Sequence, residues 1–262
     1  LKDPHLLRFL WRRALRIFPA LWLVVLLSAC VLGPVVTTLD FPAYASHPAW
    51  VTYLLNGFLI ISYGLPGVFE TNVYPGAVNG SLWSLPAEFT MYLLTPVMLL
   101  IPGLRRAALP LLAIGSSVLG AWAMTVPHPE PIVFMGSNLY SLAEVAPYFV
   151  VGVLLANHPW GRKPDLQVSV ALMALLLVIQ VPVMVQQVAL ALCLPYAVLA
   201  LALAPSPAFP DMARYGDLSY GLYLFGFPVE QWVGSLGGPS QSPERMFLLA
   251  LPAVALLAFG SW

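Results

Sequence analysis

Ile17-Phe18-Pro19-Ala20-Leu21-Trp22-Leu23-Val24-Val25-Leu26-Leu27-Ser28-Ala29-Cys30-Val31-Leu32-Gly33 runs for seventeen residues without a charge. A membrane-crossing helix needs about 20 apolar residues, with about 17 as its lower limit. The stretch is entered through Arg12, Arg13 and Arg16, as a membrane mouth would be. The rest of the chain has the same character. Of its 262 residues 60% are hydrophobic and 8% charged, against roughly 25% charged in a soluble domain. A surface so poor in charge faces lipid, and the chain is predicted to be all-α, a polytopic transmembrane helix bundle forming one integral membrane domain over 1–262.

Seven further runs meet the length criterion, at 82–101, 107–126, 140–156, 166–184, 188–204, 218–234 and 246–262, giving about eight spans. Pro- and Gly-rich connections around 127–131, 159–164, 205–210 and 237–239 separate them. A ninth apolar stretch, 53–63, is short and contains Asn56 and Gly57, so it reads as an interfacial or re-entrant element. With the start of the chain inside, inner segments hold Lys2, Arg8, Arg12, Arg13, Arg16, Arg105, Arg106, Arg162, Lys163 and Arg214. Outer segments hold only Arg245. Cytoplasmic loops collect Lys and Arg, so this asymmetry places the amino-terminal end in the cytoplasm.

Balanced charge, 11 basic against 11 acidic residues, points to no nucleic-acid partner. Cys30 and Cys193 lie far apart in apolar runs and build neither a disulfide framework nor a metal site. His5, His47, His128 and His158 fall in loops, and no zinc, P-loop or dinucleotide pattern occurs.

The chemistry lies in the spans. Glu88, Glu144 and Glu230 fall within them, and an ionisable group near mid-membrane costs about 3 kcal/mol on insertion scales. Ser81, Ser84, Glu88, Tyr92 and Thr95 recur at helical spacing, so one helix face should line the bundle interior or a wet cavity. A weaker stripe runs Ser219, Tyr223, Gly226, Glu230. Arg13 and Arg16, three residues apart, can present two guanidiniums to one polyanion; they also suit plain topology-setting charge. Composition and spacing alone leave an enzyme and a transporter equally open.

Three stretches carry a resemblance: Leu7-Arg8-Phe9-Leu10-Trp11-Arg12-Arg13-Ala14-Leu15-Arg16-Ile17-Phe18-Pro19, Asn79-Gly80-Ser81-Leu82-Trp83-Ser84-Leu85-Pro86-Ala87-Glu88-Phe89, and Gly216-Asp217-Leu218-Ser219-Tyr220-Gly221-Leu222-Tyr223-Leu224. In order and spacing they resemble the acyltransferase-3 family, membrane O-acyltransferases of carbohydrates, over essentially the whole chain. The resemblance implies transfer of an acyl group, acetyl in the family's usual practice, from cytoplasmic acyl-CoA. The acceptor would be a hydroxyl of a cell-surface or secreted carbohydrate or glycolipid, and the setting the bacterial inner membrane. Arg12, Arg13 and Arg16 would hold the phosphates of acyl-CoA. Glu88 would serve catalysis, and Asn79, Ser81, Trp83 and Tyr220 would bind the acceptor, with no metal.

The family's core has ten spans, and its first carries an Arg and a His ten residues apart, the His being the implied general base. No position here matches that pair, so the chain is expected to be a fragment lacking two spans and a tail, inactive by itself. Gly226 stands where many relatives have His. A secondary transporter or lipid-carrier flippase is the alternative, since it too would carry intramembrane glutamates.

Overall fold

The structure is a computed structural model that describes residues 6–100, 108–127, 132–158, 161, 163–204, 218–238 and 242–261. Lys2, His5, Arg105, Arg106, His128, Arg162 and Arg214 of the sequence reading lie outside them, as do Gly216 and Asp217. Each of the eight predicted spans coincides with a helix. They are α1 (Leu6–Leu27), which continues through a π turn at Ser28–Leu32 into α2 (Gly33–Val36), then α5 (Leu85–Leu100), α6 (Leu109–Thr125) and α7 (Leu139–Asn157). α8 (Leu166–Val178), α9 (Val183–Leu203), α10 (Ser219–Gly237) and α11 (Pro243–Gly260) complete the set. The 53–63 stretch forms no span: α3 (Phe41–Ser46), α4 (Pro48–Leu54) and a 3₁₀ turn at Leu55–Phe58 are too short.

Among the described residues four helices are long and apolar enough to cross a membrane, Leu6–Val36, Leu139–Asn157, Val183–Leu203 and Pro243–Gly260. α6 and α8 are shorter apolar helices. The predicted run 166–184 is cut back to 13 helical residues, because Pro182 cannot donate to the ladder and biases the residue before it towards extended backbone. The fold is a helical membrane bundle. Its outer surface is apolar, with Leu7 at 81% and Leu177 at 85% exposure, a surface that only lipid or protein would cover.

The chain divides into two compact units, Leu1–Pro86 with Asp211–Trp262, and Ala87–Pro210. In the second unit, Ala113 of α6 and Val150, Val151 and Leu155 of α7 form a buried cluster, packed by Leu192, Tyr196 and Leu199 of α9. The β1 (Val133–Phe134) and β2 (Ser137–Asn138) hairpin leads into α7. Asp165 caps α8 by accepting from the Gln167 and Val168 N–H groups.

In the first unit, Ile17, Leu21, Val24 and Val25 make the buried stripe of α1 at helical spacing. Proline then sets the plan. At the π turn the Gly33 N–H bonds the Ser28 carbonyl, and Pro34 has no N–H, so the Ala29 carbonyl is left without a backbone donor. Two aromatic donors reach it from the following short helices, Tyr44 OH at 2.7 Å and Trp50 Nε1 at 3.2 Å. Burial, with Cys30 adding to it, pushes the Tyr44 hydroxyl up to about 12, so it remains a neutral donor. Gly33 permits the approach, since a Cβ there would lie 1.9 Å from the Tyr44 hydroxyl.

α10 and α11 meet closely at Gly221, where a Cβ would lie 2.7 Å from the Ala258 Cα. Gly221→Ala is therefore expected to lower stability by about 1–3 kcal/mol through overpacking. Gly226→Ala, where a Cβ meets nothing within 4 Å, should be neutral or slightly stabilising. Thermal midpoints of the two variants in the same detergent check the contrast; equal midpoints would contradict it.

Candidate functional site

Tyr220 opens α10 and donates its hydroxyl to the Ile17 carbonyl of α1 at 3.1 Å. Beside this bond lies a polar cavity of about 450 Å³ lined by Leu15, Arg16, Pro19, Ala20, Tyr220, Gly221 and Ser261. Pro19 shapes it twice. Its ring gives the wall, and its missing N–H leaves the Leu15 carbonyl without its helical donor. The cavity thus holds a guanidinium, a phenol and a serine hydroxyl against an otherwise apolar helix pair. The Tyr220 and Ser261 hydroxyls donate to the Ile17 and Ala258 carbonyls, so the guanidinium is the group that suits an anionic, phosphate-bearing ligand.

Two residues expected to act, Arg16 and Tyr220, are more than two hundred positions apart in the chain and line this one cavity. Arg12 and Arg13 do not line it. Arg12, like Arg16, is exposed, and the Arg13 guanidinium sits 5.4 Å from the centre of the Phe9 ring, a cation–π contact on its own helix.

Asn79 is fully buried and both ends of its amide are occupied. Its Oδ1 accepts from the Ser81 N–H at 3.1 Å, and its Nδ2 donates to the Leu224 carbonyl at 2.9 Å. That carbonyl is the one Pro228 leaves without a donor four residues on in α10. Asn79 thus repairs a proline gap, as Tyr44 and Trp50 do at the π turn. Removing it strands a buried acceptor, so Asn79→Ala should cost about 1–3 kcal/mol. A fall in thermal midpoint larger than that of Ser81→Ala checks this.

Ser81 and Ser84 do not continue the α5 face. They lie on a 3₁₀ turn, Gly80–Ser84, and α5 begins only at Leu85. Pro86, in the first turn, suits such a start because its missing N–H is unneeded there. The Tyr223 hydroxyl, from α10, meets Ser84 Oγ at 2.8 Å and donates to the Ser81 carbonyl. Tyr220 and Tyr223 stack with ring centres 6.4 Å apart. Trp83 is half-buried on the same turn.

Glu88 belongs to the second unit, in the first turn of α5. It accepts a hydrogen bond from the Tyr92 hydroxyl one turn on, and Tyr92 in turn lies edge-on to Phe149 at 5.3 Å. Thr95 bonds the Met91 carbonyl of its own helix. The lower half of the predicted stripe is therefore a carboxylate–phenol pair followed by a locally satisfied threonine.

The sequence reading passed over Asn72, Tyr74 and Gln231. Gln231 is buried and donates to the Tyr74 and Ala77 carbonyls at 2.8 and 2.5 Å, while accepting from Asn72 Nδ2 at 3.0 Å. It pins the 72–77 loop onto α10. Its signal was a second polar residue directly beside Glu230 in an otherwise apolar run. No group of three or more His, Cys, Asp or Glu able to hold a metal occurs among the described residues.

A family model described as "Acyltransferase domain" matches residues 1–262. The chain is also similar to a protein of Shigella phage Sf6 described as "O-acetyl transferase", 25% identical over 266 residues that cover 100% of this chain and 77% of that protein. No solved structure matches.

Proposed function

The chain belongs to the acyltransferase domain family and is an acyltransferase moving groups other than aminoacyl groups, and from that premise we propose that it transfers an acetyl group from cytoplasmic acyl-CoA to a carbohydrate hydroxyl. The observation that carries the proposal is the cavity holding Arg16 and Tyr220 at the arginine-rich end of α1. Acyl-CoA is polyanionic and made in the cytoplasm, so its phosphates need cations at the inner mouth of the bundle. Arg16 provides a forked donor in a concave site, with Arg12 and Arg13 adding to the local positive field. The thin, uncharged pantetheine arm then carries the thioester into the bundle.

The acyl step itself needs a hydroxyl made nucleophilic, a carbonyl carbon to receive it, and a thiolate to leave. A base takes the hydroxyl proton as oxygen attacks, and the sulfur departs as the carbonyl reforms. Glu88 is the carboxylate we assign to that proton chemistry, by accepting the proton or by polarising a base, and the Tyr92 hydroxyl holds it in one orientation. Ser81 and Trp83 are assigned to the acceptor. Asn79 acts as a positioning residue, fixing the 3₁₀ turn that carries them.

Sidedness tests the proposal. Acetyl-CoA does not cross membranes, so inverted inner-membrane vesicles should use it from the bath and right-side-out vesicles should not. Equal use by both, or use by right-side-out vesicles alone, would place the donor cavity on the wrong face and overturn the inner-membrane orientation.

A further inference from the structure

A second cavity, of about 440 Å³, with a mixed polar and apolar lining, lies towards the far end of α10 and has no part in the donor site. Glu230, Gln231 and Ser235 of α10, Asn72 and Tyr74 of the pinned loop, and Phe227 are among its lining residues. Tyr220 and Glu230, one from each cavity, are ten residues apart on one helix, about 15 Å along it. Its size falls within the range of small-molecule sites.

We propose that this cavity binds the hydroxyl-rich, uncharged sugar ring of the acceptor. The proposal rests on the acyltransferase reading above and adds to it the place where the carbohydrate sits. Five observations carry it. Glu230 presents a carboxylate with no hydrogen-bond or ion-pair partner among the described residues, although it lies half-buried in a lipid-facing bundle. A carboxylate so placed gains most from a ligand that donates hydrogen bonds. Among the described residues no lysine, arginine or histidine lines the cavity, so Glu230 would repel a phosphate or carboxylate ligand. Tyr74 is 63% exposed and lies 6.0 Å from Phe227, tilted by 47°. The pair offers an apolar face for the C–H side of a sugar ring. Asn72 Oδ1 and Ser235 Oγ add acceptors for hydroxyl protons, their own donors being taken up by Gln231 and the Trp232 carbonyl. The Gln231 bonds to Tyr74 and Ala77 hold the aromatic loop in place, so the face is preorganised.

The test is saturation-transfer NMR on the protein in lipid nanodiscs, with a methyl hexopyranoside as probe. Wild type should transfer saturation to the ring C–H protons. Tyr74→Ala and Glu230→Gln should each weaken binding about tenfold, whereas Arg16→Ala should leave it unchanged. A glycosyl diglyceride in the nanodisc that displaces the hexoside identifies the sugar as lipid-borne; no displacement identifies a water-borne one. Both results fit the proposal. No transfer to the hexoside, transfer unaffected by both substitutions, or choline binding in its place would overturn it. Hexoside binding that depends on Tyr74 and Glu230 without acylation of any hydroxyl would leave the site standing and reject the acyltransferase chemistry instead.

Discussion

Arg16→Ala is expected to raise the acyl-CoA concentration for half-maximal transfer about tenfold to hundredfold, with membrane insertion intact. The substitution removes a charge-assisted contact of about 1.5–3 kcal/mol. Arg16 lines the polar cavity with Tyr220, so its loss should exceed that of Arg12→Ala, since Arg12 does not line it. Arg16→Lys should recover only part of the affinity, because a point charge lacks the planar fork. Titration of acetyl-CoA against transfer rate reads the effect. Unchanged donor affinity in a correctly inserted Arg16→Ala protein would reduce the arginine cluster to a topology signal.

Glu88→Gln should lower the turnover rate about a hundredfold to ten-thousandfold, the contribution of a positioned acid or base, while leaving donor affinity near its original value. Tyr92→Phe removes the hydroxyl that holds Glu88 and should cost less, because the carboxylate remains. The pattern separates proton chemistry from packing: a structural role would move stability and both substrates' affinities together. Full turnover in Glu88→Gln would shift the proton chemistry to another residue.

The helices were legible because membrane insertion leaves few solutions. Backbone groups in lipid must be satisfied within a helix, so a long uncharged run such as 17–33 has one reading. Arg16 and Tyr220 were legible through short motifs, but their meeting at one cavity is a packing fact made possible by Gly221 and Pro19. The polar stripe was half legible. Spacing alone put Ser81 and Ser84 on the helix of Glu88, yet i, i+3 spacing fits a 3₁₀ turn as well as an α-helix, and the Tyr223 contacts bind them to α10 instead. Asn79 was read as a ligand-binding residue; its bond to the carbonyl opposite Pro228 depends on a partner 145 residues away that no local pattern shows. Gln231 and Tyr74 were missed for the same reason.

The central claim is that this chain forms an ester between an acyl group and a hydroxyl. The direct measurement is radiolabel from [1-¹⁴C]acetyl-CoA followed into the carbohydrate fraction of vesicles bearing the full-length protein, then treated with mild alkali. The account predicts label that depends on the protein, is released by alkali as acetate, and falls with Arg16→Ala. Carbohydrate that stays unlabelled while crossing the membrane in a protein-dependent way would contradict it and establish a transporter.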